Sequence, residues 1–553
     1  MNKYFYSLLI LLLISTSSTA QRVIQWQRSY GGTLEETCSD LKPTSDGGCI
    51  LVGTSYSYDG DVTGNHGNGD GWIVKIDQYG NIEWERTLGG SNYDFILSVD
   101  LTSDGGYILS AGTTSNDGDV SAYQGLFSSD LWVVKLDSSG NIEWDKCYGG
   151  TGDEYPRTVE RSSDGGYILS ATTRSSDGDV TGYHPGSEPW NPSADIWLIK
   201  IDSIGTLLWQ RCLGGSDNEN VSAVKQISDN GLVIGGETWG SYDGDLIGNT
   251  DTASSGGGSV WIVKLDSARN ILWQKTYGGS ELELGSDLLI CSDESYTFIT
   301  TSFSEDGDVT NSPGGPSFWL VNIDSSGTIQ WEKSYGGDSC LITGAELTRT
   351  IDGGYAFTGQ LAGSDSDFPT YHYDPLNSIS GDIVVIETDS IGNTIYQHCY
   401  GGFSSEGGAA IAFASDLSLF AGGGSSSNDG DVSGHHGPIH TSDIWLLKFD
   451  SQLTLKTSTS AKPINIFKVY PNPVSSFVKI SFYLPHEELV SVKVYDISGK
   501  EIKTLLYDRS LSGYQELHWS CNDDNQQEVL NGIYIVRIVA GNYTDNFKVT
   551  IIR

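Results

Sequence analysis

Residues 104–150, DGGYILSAGTTSNDGDVSAYQGLFSSDLWVVKLDSSGNIEWDKCYGG, decide the fold. Three runs rich in β-branched and aromatic residues, 107–114, 131–137 and 142–148, are separated by segments of Gly, Ser, Asp and Asn, and this pattern predicts three strands. Residues 95–102, just upstream, predict a fourth strand. We therefore expect one antiparallel sheet of four strands.

This unit is repeated along most of the chain. The third-strand tryptophans of its first and last copies, Trp72 and Trp445, lie 373 residues and six repeats apart, so the period is about 62 residues. Seven copies of a four-stranded unit predict a seven-bladed β-propeller, because a blade can bury both faces of its sheet only between neighbours in a ring. The third-strand positions are Trp72, Trp132, Trp197, Trp261, Trp319, Val384 and Trp445, and the fourth-strand positions are Trp26, Trp84, Trp144, Trp209, Trp273, Trp331 and Tyr396.

The two ends of the repeats predict how the ring closes. Residues 23–30 have the sequence of a fourth strand with no blade before it, and residues 443–450 form a third strand followed by a poor fourth. The N-terminal strand is therefore expected to complete the seventh blade and to remove a free sheet edge. The propeller is expected over residues 21–456.

The composition changes after a polar linker expected at 457–466, because lysine becomes common and the repeat stops. Short apolar runs separated by turn residues predict a small β-sandwich over residues 467–553. The seven predicted strands are 467–470, 478–483, 489–495, 501–507, 514–519, 532–539 and 544–552.

The net charge of −40, from 71 acidic and 31 basic residues, argues against nucleic acid or an anionic membrane as a partner, since both would be repelled. Eight cysteines are few for 553 residues, and they predict buried small side chains rather than a disulfide framework. Cys38 and Cys49 flank one hairpin, so a cross-strand bridge there stays open.

The first 20 residues predict a secretory signal peptide. Lys3 supplies a positive charge, residues 8–14 form an apolar run too short to span a bilayer, and Ser18, Thr19 and Ala20 suit cleavage between Ala20 and Gln21. An uncleaved anchor is the alternative. No later stretch is apolar enough to predict a transmembrane segment in the mature chain.

Pairs of acids separated by one residue follow the second strand of every repeat. Oxygen ligands at alternate positions around a Gly suit calcium, and a third acid often stands near the start of the third strand. The alternative is a turn in which each Asp binds backbone N–H groups of its own loop. The calcium hypothesis assigns Asp59, Asp61, Asp117, Asp119, Asp130, Asp177, Asp179, Asp195, Asp429, Asp431 and Asp443 as ligands, and the same pattern recurs at Asp70, Asp243, Asp245, Asp306, Asp308, Asp365, Asp367 and Asp382.

Acids that recur in every blade are typical of structure, whereas a catalytic pair of carboxylates needs one blade to differ from the others. The sequence has no Gly-x-Ser-x-Gly, P-loop or HExxH motif, and no catalytic residue is assigned. The loop histidines His184, His435, His436 and His440 are interpreted as solvent-exposed. The loop aromatics could stack on sugars or pack the loops down, and they are Tyr123, Phe127, Tyr183, Trp190, Trp239, Phe368 and Tyr371.

The repeats resemble the bacterial β-propeller repeat family of secreted and surface proteins. The resemblance rests on four elements: Trp-x-x-x-Tyr-Gly-Gly, Asp-x-Gly-Gly, a Gly-Thr-Thr-Ser strand end, and Asp-x-Trp-Val-Val-Lys-Leu-Asp. It covers most of residues 23–450. It implies a fold and a compartment rather than an activity.

The C-terminal region resembles the sorting domain of the type IX secretion system of Bacteroidota. The matching segments are 470–473 (YPNP), 494–500 (VYDISGK), 531–534 (NGIY) and the basic last residue Arg553. The resemblance implies handling by the type IX machinery, passage through periplasm and outer membrane, and a sorting motif formed by Pro471, Asn472, Pro473, Gly499, Gly532 and Tyr534. We therefore expect a secreted or cell-surface binding protein, with a glycan or protein ligand and calcium as its one candidate cofactor. A propeller glycoside hydrolase or lyase is the alternative.

Overall fold

The computed structural model describes two compact units, one of Ala20–Thr454 and one that contains Leu455–Arg553. Each unit is described by itself below. The described residues are 18–125, 128–186, 192–240, 243–246, 258–337, 341–363, 368, 370–372, 380–438, 441–451, 454–457, 465–470, 472–474, 476–497, 499–524, 526–540 and 543–552.

The first unit is a seven-bladed β-propeller, as predicted. Seven antiparallel sheets of four strands follow one another along the chain. We number the strands of each blade one to four in chain order. Strand one of each blade contacts strand one of the next, so these strands form the ring around the central channel.

The strands of the seven blades have similar lengths and positions. Strand one is Glu36–Pro43, Asp94–Leu101, Glu154–Arg161, Glu219–Gln226, Glu283–Ile290, Leu341–Arg349 and Glu406–Phe413 in blades one to seven. Strand two is Cys49–Ser55, Tyr107–Thr113, Tyr167–Thr173, Leu232–Thr238, Tyr296–Ser302, Tyr355–Ala362 and Leu419–Ser425. Strand three is Asp70–Ile76, Asp130–Leu136, Asp195–Ile201, Ser259–Leu265, Ser317–Ile323, Gly381–Thr388 and Asp443–Phe449. Strand four is Ile82–Leu88, Ile142–Tyr148, Leu207–Leu213, Ile271–Tyr277, Ile329–Gly336, Thr394–Tyr400 and, in blade seven, Ile24–Tyr30.

The ring closes through the N-terminal strand, and this prediction is confirmed. Ile24–Tyr30 pairs with Asp443–Phe449 as the outer strand of blade seven, with Trp26 opposite Lys448. Arg22, just before this strand, forms a buried ion pair with Glu387 of blade six, with Nε 2.6 Å from Oε1 and Nη2 2.8 Å from Oε2. The first residues after the predicted cleavage point thus hold the closure together.

Packing between blades explains why both faces of the inner strands are apolar. Strands two and three of blade two are buried along their whole length, and six third-strand tryptophans are fully buried. Aromatic side chains of strand four contact the next blade. Tyr30 Oη donates to the Gly80 carbonyl at 2.8 Å, and Tyr277 Oη donates to the Gly327 carbonyl at 2.7 Å. The Trp and Tyr of the repeat are therefore contacts between neighbouring blades.

The described cysteines are buried small side chains, as predicted, and the bridge that the sequence left open between Cys38 and Cys49 is not formed. Cys38 and Cys49 are both free and buried. Cys38 lies opposite Gly53, and Cys49 lies opposite Pro43 at the other end of the hairpin. The two residues are therefore not cross-strand neighbours. The other described cysteines, including Cys147, Cys212 and Cys399, are also buried.

Among its described residues the second unit forms a sheet of five strands, where the sequence predicted seven. The strands are Asn465–Tyr470, Val478–Asp496, Glu501–Trp519, Gly532–Ala540 and Tyr543–Ile551. Two of them run through positions where turns were expected, and their pairing shifts in register between Leu484 and Glu488 instead of breaking. Alternate residues of both halves of Val478–Asp496, from Val478 to Val494, face one core with Trp519. Residues 458–464 of the expected linker lie outside the described residues.

Candidate functional site

The long loops leave the end of strand two, and the blade-to-blade connections leave the end of strand four. In an antiparallel sheet these two ends lie on the same side, so the loops and the connections share one face of the propeller. On this face each acid pair contacts the Gly-Gly segment that precedes strand one of its own blade. In blade two, for example, residues 117–119 contact residues 89–91. We name this arrangement the seam clasp.

The first acid of each pair accepts a hydrogen bond from the backbone that enters the blade. Asp117 Oδ1 accepts from the Ser91 N–H at 2.7 Å, and Asp177 Oδ1 accepts from the Thr151 N–H at 2.7 Å. The equivalent donors and acids are Thr33 and Asp59, Ser216 and Asp243, Ser280 and Asp306, and Phe403 and Asp429. Asp365 and Asp367 lie outside the described residues. The partner is thus a segment distant in sequence, whereas the turn interpretation expected the loop's own backbone.

The second acid of the pair is held by the first Gly of the same segment. The Asp119 N–H donates to the Gly89 carbonyl at 2.9 Å, and Asp119 Oδ2 lies 3.2 Å from the Gly89 nitrogen. The same pair of contacts joins Asp61 to Gly31, Asp179 to Gly149, Asp308 to Gly278 and Asp431 to Gly401.

The third acid, at the start of strand three, is bound by a residue of the long loop. Asp195 Oδ2 lies 3.0 Å from the His184 backbone nitrogen and 2.8 Å from its Nδ1. Asp130 is the exception, since it accepts from the Gln124 N–H at 2.6 Å. The remaining pairs are His66 with Asp70, His372 with Asp382 and His436 with Asp443.

The prediction of solvent-exposed loop histidines is therefore wrong for His184 and His435, whereas His436 is exposed. Asp fixes the rings of His184 and His436, and the His435 side chain is buried with its Nδ1 3.4 Å from Asp443 Oδ1. His440 lies outside the described residues. These pairs could not be predicted from the sequence, because the spacing between His and Asp varies with loop length.

A further buried acid opens strand one of six blades, and the sequence analysis missed it. Glu154 Oε2 accepts from the Gly150 N–H at 3.0 Å, and Glu154 Oε1 accepts from the Thr173 hydroxyl at 2.7 Å. The equivalents are Glu36, Asp94, Glu219, Glu283 and Glu406. An acid four residues after the second Gly of each Gly-Gly was the signal that could have revealed them.

Two carboxylates therefore contact the first Gly of the segment. They leave no room for a side chain there, and this explains why the position is a Gly. A Cβ on Gly401 would lie 2.4 Å from Glu406 Oε2 and 2.6 Å from Asp382 Oδ1. Among the described residues, Asp382 Oδ1 has no hydrogen-bond partner, and the same holds for Oδ1 of Asp70, Asp130 and Asp195. These oxygens face the Cα–H of the Gly, which is a weak donor.

Burial keeps several of these acids partly protonated near neutral pH. It raises the pKa of Glu154 to about 7 and that of Glu406 to about 8. It also raises the pKa of Asp130 and Asp195 to about 6. Protonated carboxyls at these positions reduce the repulsion between the paired acids.

The structure does not bring the acids of the calcium hypothesis together. Asp117, Asp119 and Asp130 contact the backbone of Ser91, Gly89 and Gln124 respectively. Within the described ranges, no group of three or more His, Cys, Asp or Glu is arranged to hold a metal ion. Calcium binding stays a prediction, and a bound ion would compete with the backbone N–H groups for these carboxylates.

Most of the described loop aromatics pack within the loops instead of facing solvent. Tyr123 Oη donates to the Ser128 carbonyl at 2.6 Å, and Tyr183 Oη donates to the Ser193 carbonyl at 2.7 Å. Phe368 and Tyr371 are buried, whereas Trp239 is 36% exposed. Phe127 and Trp190 lie outside the described residues.

The side chains around the opening of the central channel differ from blade to blade. We name this region the channel mouth and define it by the start of strand one and the residue after strand two. The second residue of strand one is Thr37, Phe95, Tyr155, Asn220, Leu284 and Gly407 in blades one to five and seven, and the residue after strand two is Tyr56, Thr114, Arg174, Trp239, Phe303 and Ser426 in the same blades. Of these residues only Trp239 was singled out from the sequence, because the positions show no repeat.

The channel mouth has one sector of aromatic and charged residues. A pocket of about 380 Å³ there is lined by Tyr155, Arg157, Arg174 and Asn220. On the opposite side, a pocket of about 280 Å³ has no aromatic or Arg side chain in its lining, which includes Gly344, Gly407, Gly408 and Gly424 together with Thr37 and Gln360. The mouth is therefore chemically one-sided.

The described residues of the sorting motif stabilise the second unit. Asn472 Nδ2 donates to the Lys548 carbonyl and Asn472 Oδ1 accepts from the Thr550 N–H, both at 2.8 Å. Gly499 has φ +85° in a turn, and Tyr534 packs edge-on against Trp519. Gly532 begins a strand, Pro473 follows Asn472, and Pro471 lies outside the described residues.

Comparisons with known proteins divide along the chain. Residues 468–553 match the family described as the secretion system C-terminal sorting domain. The regulatory protein FlaEY of Caulobacter vibrioides is 22% identical over 253 residues, 45% of this chain, and the chain spans 25% of that relative's length.

Solved structures with a similar arrangement have low sequence identity. A protein of unknown function from Dyadobacter fermentans is 9% identical with a TM-score of 0.39, and the match covers 79% of this chain and 99% of that one. The Pan2 WD40 domain of Neurospora crassa is 9% identical with a TM-score of 0.38, and the match covers 77% and 97%.

The sorting domain defines the destination of the chain. In the part of the chain that the structure describes, no helix is long and apolar enough to cross a membrane. The match over residues 468–553 indicates handling by the type IX secretion machinery. The protein is therefore exported through type IX secretion to the cell surface or the extracellular space.

Proposed function

We propose that the exported propeller is a non-catalytic binding and adhesion module that presents its channel mouth to an extracellular glycan or protein. One observation carries the proposal. Most of the recurring acids are held by backbone or side-chain donors in the seam clasps, whereas the side chains of the channel mouth vary between blades. Variable side chains on a rigid scaffold are typical of a binding surface.

The proposal includes the route of export and the source of the protein. Residues 1–20 act as a signal peptide cleaved between Ala20 and Gln21, and the organism belongs to the Bacteroidota. The resemblance of the repeats to bacterial surface propellers supports this compartment. Residues 1–17 lie outside the described residues, so the proposal rests there on the sequence pattern.

A propeller glycoside hydrolase or lyase is the second candidate, and one observation favours it. Arg157 and Glu237 are charged residues near the channel mouth that have no equivalent in the other blades. Burial raises the pKa of the Glu237 carboxyl, and the positive charge of Arg157 offsets only part of this rise. A buried carboxyl with a raised pKa is suited to general acid chemistry.

Incubation of the purified chain with glycans that it binds distinguishes the two candidate functions. Retention of the glycan with unchanged length supports a binding module. New reducing ends or unsaturated products would support the enzyme, and a Glu237→Gln variant should then lose turnover and keep binding.

A further inference from the structure

An aromatic ladder crosses the channel mouth from blade one to blade three. Tyr56 stacks on Tyr93 with ring centroids 6.1 Å apart, Tyr93 stacks on Phe95 at 5.3 Å, and Phe95 lies 5.2 Å from Tyr155. Tyr93 is 38% exposed and Tyr155 is 44% exposed, whereas Phe95 is buried between them. Two tyrosine rings are thus fixed by neighbouring rings and remain open to solvent.

Hydrogen-bonding groups surround the exposed end of this ladder. The Arg157 guanidinium lies 5.1 Å from the Tyr155 ring centroid, and Arg174 and Asn220 line the same pocket of about 380 Å³. Arg157 Nε is buried and has no hydrogen-bond partner among the described residues. An unpartnered buried donor beside an exposed aromatic ring is available to an acceptor group of a ligand.

The charged side chains that line the pocket are two Arg and one Asp. Asp153 also lines it, and Asp153 Oδ1 accepts from the Ser129 N–H at 3.1 Å. Glu237 lies close enough to Arg157 for the positive charge of Arg157 to act on the pKa of Glu237. The chain as a whole has a net charge of −40, which repels polyanions.

We infer that this sector of the channel mouth binds a neutral polysaccharide, with sugar rings against the exposed edges of Tyr93 and Tyr155 and with sugar hydroxyls bound to Arg157, Arg174 and Asn220. The inference rests on the proposed function and adds the ligand class and the site. Aromatic side chains contact the apolar C–H groups of hexose rings, while Arg, Asn and Asp groups suit the donors and acceptors of sugar hydroxyls. The net charge of −40 disfavours a uronic acid polymer.

The test uses the full chain and soluble neutral hexasaccharides of glucose, mannose and xylose, with an alginate oligosaccharide as the acidic probe. Calorimetry should detect binding of at least one neutral probe, and alginate should not bind. Tyr155→Ala and Arg174→Ala should each weaken that binding at least about tenfold. Tyr79→Ala is the matched control, because Tyr79 is equally a surface tyrosine, 63% exposed, in a strand three to strand four turn on the opposite face.

Each outcome distinguishes this inference from the proposed function. Absence of binding by every neutral probe, tighter binding of alginate, or unchanged affinity of Tyr155→Ala would overturn the inference. Binding that is lost only with variants elsewhere would leave the binding function standing at another surface. Cleavage of a bound neutral probe would keep the site and overturn the non-catalytic function. Melting curves of all variants confirm that they fold.

Discussion

The seam clasps and the channel mouth lie on the same face of the propeller. The side chains of the clasps repeat from blade to blade, whereas those of the mouth change. In the clasps, Asp117, Asp177 and their equivalents make the same contact in six blades. At the mouth, the same backbone positions hold Tyr155, Asn220 or Gly407. Side chains that repeat in every clasp therefore hold the ring together, whereas the positions that change between blades form the surface that can bind a partner.

The largest expected effect is at the closure of the ring. Arg22→Ala leaves Glu387 buried without its charge partner, so we expect the free energy of unfolding to fall by about 3 to 5 kcal/mol. Urea unfolding followed by tryptophan fluorescence measures this, because Trp519 is the single Trp beyond the propeller. The double variant Arg22→Met with Glu387→Leu should recover most of the loss. A single variant as stable as the natural chain would show that the closure does not depend on this pair.

Next in size is a clash inside a clasp. A Cβ on Gly90 would lie 2.5 Å from Asp117 Oδ1 and 2.6 Å from the Asp117 carbonyl oxygen, so Gly90→Ala should destabilise by about 1 to 3 kcal/mol. Gly105→Ala is the matched control, since its Cβ would meet nothing within 4 Å and only its φ of +85° is strained. That control should cost about 1 kcal/mol. Equal losses at both positions would contradict the close approach in the clasp.

The clasps, unlike the mouth, should also make stability depend on pH. Burial raises the pKa of Glu406 to about 8 from an ordinary 4.5, so the native state holds this proton more tightly than the unfolded chain does. The stability that this proton supplies is complete below about pH 4.5 and is lost as pH rises through about 8. His372 acts in the same direction: burial lowers its pKa, but the hydrogen bond and charge of Asp382 raise it to about 9.

The check is a series of unfolding curves between about pH 6.5 and about pH 8.5, where the free energy of unfolding should fall with rising pH. Glu406→Gln removes the titration and keeps a neutral side chain, so its curve should be flatter by on the order of 1 kcal/mol across this range. This range lies above the titration of His398, whose pKa burial lowers to about 4. Stability that rises with pH would contradict the assignment.

The sequence predicted the parts of this fold that repeat. The phase of the repeat placed Trp26 on a fourth strand, and this predicted the closure correctly. It did not predict the partner of Asp117, because the Ser91 N–H lies 26 residues away and only the folded blade brings them together. The mouth was missed for a different reason, since Tyr93 and Tyr155 occupy positions where the repeats have nothing in common.

The smallest expected effect concerns calcium at the clasps. The first Asp of each described pair already accepts a backbone N–H at 2.7 to 2.9 Å, so an ion would have to replace bonds that the fold has made. A ligand that binds only the native state raises the melting temperature by mass action. Melting curves of the full chain with millimolar calcium and with chelator should therefore coincide. A rise with calcium that is lost in Asp117→Asn with Asp119→Asn would instead establish the site, and the clasps would then carry a cofactor as well as the ring.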